Sequence, residues 1–162
     1  SLPHARAGEK KVEKNCVLLM DFGAHKDMYN CDITRTMFRG KVPEKLHRIY
    51  RIVAEAQRLA LDAIRPGLAV RTLDKIARGY IKARGYGKEF GHSLGHGIGR
   101  EVHEAPRISW KTPRVKLQEG MVFTVEPGIY LPGVGGVRIE DTVLVTKTGC
   151  EILTAAAPKE KH

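Results

Sequence analysis

The sequence predicts an α+β domain built on antiparallel pairing, and three features carry that expectation. Strand-length apolar runs occupy the beginning and the end of the chain, two amphipathic helical stretches occupy its centre, and no strand–helix–strand alternation links them.

The first run, NCVLLMDF at 15–22, ends in a carboxylate and is followed by Gly23 and polar residues through Asn30. CDITRTMF at 31–38 follows at hairpin distance, so these two runs are expected to pair. Pro43 then opens a helix in which Leu46, Ile49, Val53, Ala56, Ala60 and Ile64 recur at steps of three and four, until Pro66-Gly67 stops the pattern. A second helix fits 70–84, with Leu73, Ile76, Ala77, Tyr80 and Ile81 on one face and Gly85 as its terminator. From Phe90 onward glycines and short β-rich pieces take over: HSLGHGIG, REVHEAP, MVFTVEPGIY, VRIEDTVLVT and EILT at 151–154. Pro132-Gly133 and Gly135-Gly136 supply turn chemistry between the pieces that carry Glu126 and Glu140.

The bulk composition removes several function classes. With 162 residues, 42% hydrophobic and 28% charged, the chain has enough apolar residues for the core of one globular domain, and it has no internal repeat. No run approaches the ~18 apolar residues of a membrane span, and the opening SLPHARAGEK has no signal core, so no membrane partner is expected. The 3 cysteines, Cys16, Cys31 and Cys150, have no metal-finger or CxxC spacing and suit reduced thiols, which points to a cytoplasmic setting. A net charge of +10 raises the question of nucleic acid. The basic residues, however, are spread over the helical stretches and the KEKH tail with few aromatics between them, which argues against that partner.

Chemistry enters with the acids. Cross-strand pairing can bring Asp21 and Asp32 to one spot. Surface hairpins commonly carry such aspartates, so this pair by itself is better read as a solvated one. Glu126 and Glu140 are harder to dismiss, because one ends the apolar run MVFTV and the other interrupts VRI-E-DTVLV. Clustered carboxylates repel one another, and burying one unpaired costs several kcal/mol or raises its pKa. Two divalent cations remove that cost, their charge of about +4 balancing about −4 from four carboxylates, with a neutral imidazole from His96 completing the ligand set. Oxygen-rich ligation with one nitrogen favours Mn²⁺ or Co²⁺ ahead of Zn²⁺ or Fe²⁺. His92 and His96 have the spacing of the zinc motif HExxH, but Ser93 replaces its glutamate and glycines at 91, 95, 97 and 99 forbid a regular helix. In an extended segment His92, His96 and His103 can line one cavity instead. Phosphate-cradling motifs are absent, and no Cys/His pairing signature surrounds any cysteine.

These residues sit in blocks that resemble the metallopeptidases of the pita-bread fold, specifically the Xaa-Pro aminopeptidase (aminopeptidase P) and prolidase branch. DFGA at 21–24, CDITRT at 31–36, GHSLGHGIGREVHEAP at 91–106, GMVFTVEPGIY at 120–130 and GVRIEDTVLVT at 136–146 look like that family's blocks in its order. The resemblance implies a pita-bread (creatinase/aminopeptidase) fold, with residues 1–162 as the C-terminal part of its catalytic domain and the N-terminal half missing. A missing N-terminal portion or a second copy in a homodimer would then close the site. By position, Asp21, Asp32, His96, Glu126 and Glu140 fall on the family's five metal ligands, with Asp32 and Glu140 bridging two ions. Asp21 would bind one ion, and His96 and Glu126 the other. His103 falls on the family's substrate-binding histidine, and His92 and His4 on further pocket histidines. Arg138 falls on an arginine of the active-site network.

The implied activity is hydrolysis of peptide bonds preceding proline by a hydroxide bridging two divalent metals. Glu126 would shuttle the proton, and His103 with His4 would stabilise the oxyanion. The expected partners are peptides with proline at the second position. Methionine aminopeptidases share the GHGIG and HEAP-like segments, but Glu126 and Glu140 lie only fourteen positions apart through GIYLPGVGGVRIED, as in the proline-directed branch. A third possibility is a pseudoenzyme that binds peptide or nucleic acid. Departures from the family pattern, AHKDMYN at 24–30 in place of a tyrosine- and glycine-bearing turn and Met37 in place of phenylalanine, touch no ligand.

Overall fold

The computed structural model describes residues 2–4, 8–9 and 11–159. Of the basic tail only Lys159 lies among the described residues. Two long strands, β1 (Cys16–Lys26) and β2 (Tyr29–Arg39), form an antiparallel hairpin. Both are longer than the apolar runs suggest, because the polar stretch from Gly23 to Asn30 continues the ladder rather than looping out. The turn shrinks to Asp27 and Met28, whose φ values of 50° and 68° have the left-handed geometry that matches the twist of a two-residue hairpin. Asp21 therefore lies within β1, not at its end.

The helical centre follows the periodicity. α1 (Glu44–Ala63) starts after Pro43, which serves as its N-cap, and buries Leu46, Ile49, Val53, Ala56 and Ala60. α2 (Val70–Ala83) buries Leu73, Ala77 and Ile81, and Gly85, at φ 88°, takes the left-handed position just beyond it. The remaining strands are short: β3 (Gly95–Gly97), β4 (Glu104–Ile108), β5 (Val122–Val125), β6 (Gly128–Leu131), β7 (Gly135–Arg138), β8 (Asp141–Val145) and β9 (Cys150–Ile152). A five-stranded sheet runs in the order β4-β3-β5-β8-β9, and β6 with β7 forms a separate hairpin. The apolar faces of both helices, the inner residues of the sheet, among them Phe123, Val125 and Val143, and Ile139 between β7 and β8 make one core. All observed strand pairs are antiparallel, as an α+β domain requires. No helix among the described residues is long and apolar enough to cross a membrane.

This topology breaks each acid-bearing run at its acid. The run MVFTVEPGIY splits into β5 and β6 with Glu126 between them, and VRIEDTVLV splits into β7 and β8 with Glu140 between them. Each glutamate thus sits where the chain leaves one sheet for another, which frees its side chain from both ladders.

Candidate metal centre

In the β1–β2 register Asp21 is opposite Thr34 and Gly23 opposite Asp32, so the two aspartates are diagonal neighbours on one face of the hairpin. Thr34 and Thr36 share that face. The Thr34 hydroxyl donates to Oε2 of Glu140 at 2.6 Å, and the Thr36 hydroxyl donates to the carbonyl of Arg138 at 2.8 Å. The hairpin is thereby stitched to the β7–β8 junction, and Glu140 donates its own amide to the carbonyl of Thr34 at 3.1 Å.

His96 arrives from the opposite side on β3. Its flanking glycines are required by close approach: a Cβ on Gly95 would lie 1.9 Å from the carbonyl oxygen of Thr124, and one on Gly97 2.3 Å from that of Ala105. The His96 amide donates to the Thr124 hydroxyl at 3.1 Å, and that hydroxyl donates to Oε1 of Glu126 at 3.1 Å. Nδ1 of His96 lies 3.1 Å from the carbonyl of Gly97, an acceptor only, so Nδ1 carries the proton and the Nε2 lone pair is left for the cavity. Nε2 stands 3.4 Å from Oε1 of Glu126 and 3.8 Å from Oδ2 of Asp32.

Asp32, His96 and Glu140 each present a ligand atom, and these atoms lie within 4.8 Å of one another. Glu126 joins the group through His96. The Asp21 carboxylate is half exposed and is drawn onto the guanidinium of Arg138. All nine residues singled out in the sequence, His4, Asp21, Asp32, His92, His96, His103, Glu126, Arg138 and Glu140, line one open cavity of about 770 Å³. His4 is exposed, and His103, also exposed, lies ring against ring with His96, 4.1 Å between centroids.

The electrostatics ask for cations. Burial raises the Glu126 carboxyl to about 8, Arg138 and Thr124 opposing the shift without cancelling it. Burial, reinforced by the charge of Glu126, raises Glu140 to about 9. Asp32 is raised by burial and then by the charge of Asp21. Burial lowers His96, which favours its neutral, ligating form. Glu140 supplies the sharpest sign of fit: its Oε1 is buried and has no hydrogen-bond partner among the described residues, an arrangement that costs about 1–3 kcal/mol or more for a charged group unless an ion compensates it. One imidazole nitrogen and several carboxylate oxygens are the donor set of a hard or borderline divalent ion.

His92 is placed differently from a free substrate ligand. Nδ1 faces the carbonyl of Ser93 at 2.8 Å and Nε2 faces the hydroxyl of Tyr130 at 3.0 Å, while burial lowers its pKa to about 4. The Arg138 guanidinium donates to the same Tyr130 oxygen at 2.8 Å, so the phenol proton points to the neutral His92 ring and the Arg138–Tyr130–His92 chain supports the cavity wall. Arg78 on α2 anchors the histidine segment: its fork pairs with buried Asp74, donates to the carbonyls of Phe90 at 2.7 Å and His92 at 2.6 Å, and stacks on Phe90 and Trp110. Sequence reasoning passed over Thr34, Thr124, Tyr130 and Arg107. The threonines looked like strand formers, and the tyrosine like one more apolar strand residue. Arg107, opposite His96 in the β3–β4 pair, adds an exposed cation to the cavity wall.

Comparison with known proteins places the chain in a family. The profile of metallopeptidase family M24 matches residues 1–147. The chain is 52% identical over 154 residues to the Xaa-Pro dipeptidase of Pyrococcus horikoshii, covering 95% of this chain and 44% of that protein. A solved Xaa-Pro dipeptidase from Bacillus anthracis superposes with TM-score 0.95 at 50% identity, covering 98% of this chain and 44% of that one. An X-Pro aminopeptidase from Thermotoga maritima gives 0.94 at 48% identity, with 98% and 45% covered. The chain thus spans less than half the length of these relatives.

Proposed function

The chain belongs to metallopeptidase family M24, and from that premise we propose that it hydrolyses the peptide bond preceding proline, using two divalent cations held by Asp21, Asp32, His96, Glu126 and Glu140. The observation that carries this is the buried Oε1 of Glu140, without a hydrogen-bond partner among the described residues, beside the ligand atoms of Asp32 and His96. Asp32 and Glu140 would serve both cations, Asp21 one, and His96 with Glu126 the other. Mn²⁺ or Co²⁺ suits the oxygen-rich set, ahead of Zn²⁺ or Fe²⁺. Xaa-Pro specificity is supported by the names of the relatives, with which the chain shares about half of its residues.

When bound, the cations would neutralise the acids and lower the pKa of a water toward neutrality. The Glu126 carboxylate would hold the proton of the attacking water and deliver it to the leaving nitrogen. His103 and His4, exposed at the same cavity, offer ring N–H groups to the developing oxyanion, a role in which losing one donor costs about 3–4 kcal/mol. Arg138 keeps Asp21 turned into the site and leaves Tyr130 to hold His92.

The chain acts here as the metal-carrying part of a larger catalytic domain, in keeping with its 44% share of the relatives' length. A cytoplasmic setting is part of the same proposal, supported by three free thiols. The test is hydrolysis of Xaa-Pro dipeptides and tripeptides with added Mn²⁺, with and without chelator, on this chain and on a longer version that contains it. Met-Ala serves as the competing substrate. Preference for Met-Ala would move the activity to the methionine branch, and metal binding without hydrolysis by the longer version would leave a binding role.

A further inference from the structure

Gln57 is an anomaly on α1. It falls on the core-facing stripe between Val53 and Ala60, it is only 1% exposed, and a buried amide on an apolar helix face costs stability unless its hydrogens find acceptors. Its Nε2 lies 3.0 Å from the carbonyl of Val125, 3.2 Å from the carbonyl of Ile139 and 3.1 Å from Oδ2 of Asp141. All three neighbours accept only, so the amide nitrogen and not its oxygen must face them.

The positions of those acceptors matter more than their number. Val125 immediately precedes Glu126, and Ile139 immediately precedes Glu140. Each carbonyl belongs to the peptide unit that leads into a metal-facing acid at the point where its strand ends. One amide group therefore spans the β5–β6 and β7–β8 junctions from beneath, on the side away from the cavity. Asp141, the third acceptor, is buried and in turn held by Arg35 at 2.8 Å and Lys159 at 2.6 Å, and Arg35 also donates to the Glu140 carbonyl at 2.5 Å. The Gln57 amide thus has a fixed frame to pull against. On the cavity side, the amides of the two acids are held separately: Glu126 by the Leu94 carbonyl at 2.8 Å and Glu140 by the Thr34 carbonyl at 3.1 Å. Among the described residues Gln57 is the side chain whose hydrogen bonds join the two junctions directly to each other.

We infer that Gln57 is a positioning residue that sets the spacing between the Glu126 and Glu140 junctions and so makes one cavity able to receive both carboxylates on cations. Packing alone does not require it, since methionine has the same length and would fill the same volume with no polar atom to satisfy. The inference rests on the proposed metal site, and its test separates the two.

The chain would be prepared as Gln57→Met, as Gln57→Glu, and as Ala60→Gly, a control on the same helix that weakens α1 without touching either junction. In metal-free protein, hydrogen exchange of the Glu126 and Glu140 amides should accelerate at least tenfold in Gln57→Met relative to amides of α2, while Ala60→Gly leaves that ratio unchanged. In Mn²⁺ titration, affinity should fall at least tenfold in Gln57→Met and stay within twofold of wild type in the control. Gln57→Glu keeps the shape but opposes a carboxyl to three acceptors, so it should behave like Gln57→Met at neutral pH. Unchanged relative exchange in a folded Gln57→Met chain overturns the inference, as does Mn²⁺ affinity lost equally in the control. Failure of both Gln57 variants to fold overturns it too, because the residue would then serve the core as a whole. If wild type binds no Mn²⁺, the metal proposal fails while the exchange experiment still decides the role of Gln57.

Discussion

The Thr34 hydroxyl donates to Oε2 of Glu140 at 2.6 Å, while Oε1 of the same buried carboxylate has no hydrogen-bond partner among the described residues. One oxygen is thus oriented by the β-hairpin and the other is left for an ion. A hydrogen bond to a charged group is worth about 1.5–3 kcal/mol, so Thr34→Val should weaken Mn²⁺ binding by roughly 10- to 100-fold. Thr34→Ser, which keeps the hydroxyl, should recover most of the loss. Calorimetric titration of the three proteins checks this, and equal affinities for wild type and Thr34→Val would refute the orientation role.

Glu126 is assigned the proton transfer. Glu126→Gln keeps the size and a ligating oxygen but cannot carry the proton, so kcat at saturating Mn²⁺ should fall by about 10²–10⁴-fold. The measurement belongs on the longest form of the protein that is active. Turnover within a few-fold of wild type would remove Glu126 from that role.

The acids also predict how stability depends on pH. Glu126 and Glu140 have folded-state pKa values raised to about 8 and about 9 from an ordinary 4.5. The fold therefore favours their protonated forms. Their contribution to stability is fully present below about 4.5 and is lost as pH rises through 8 and 9. Metal-free protein should lose Tm between pH 5 and 9, and the Tm gained on adding Mn²⁺ should widen over the same interval as the cation replaces the protons. Scanning calorimetry at pH 5, 7 and 9 with and without Mn²⁺ measures both. A gain that shrinks with rising pH would contradict the assignment.

Gly95 offers a test of the scaffold. Alanine there would put a methyl carbon 1.9 Å from the Thr124 carbonyl oxygen, so β3 must move away from β5 and carry His96 with it. Gly95→Ala should cost about 1–3 kcal/mol of stability by overpacking, and metal affinity should fall with it. Gly91→Ala, where a Cβ meets nothing within 4 Å, is the matched control and should leave metal affinity unchanged.

Much of this is legible in the amino-acid sequence. Periodicity locates both helices, the acids embedded in apolar runs mark Glu126 and Glu140 as residues with a task, and the resemblance singles out nine residues that share the lining of one cavity. The hairpin is longer than its apolar runs because Gly23 to Asn30, although polar, continues the ladder. A ladder with one solvated face accepts polar residues, and hydropathy cannot tell such a strand from a loop. His92 looked available to substrate, yet both of its nitrogens are engaged by Ser93 and Tyr130, one thirty-eight positions away.

The sequence by itself determined the residue types that make a metal centre and the order of elements that deliver them, since both depend on local chemistry and short-range spacing. Tertiary structure alone decided which oxygen of Glu140 is held by Thr34 and which is left over, and that Gln57 ties two distant junctions together. Those are properties of contacts between segments about 70 to 105 positions apart, whose hydrogen-bond partners are chosen only when the sheets and helices pack.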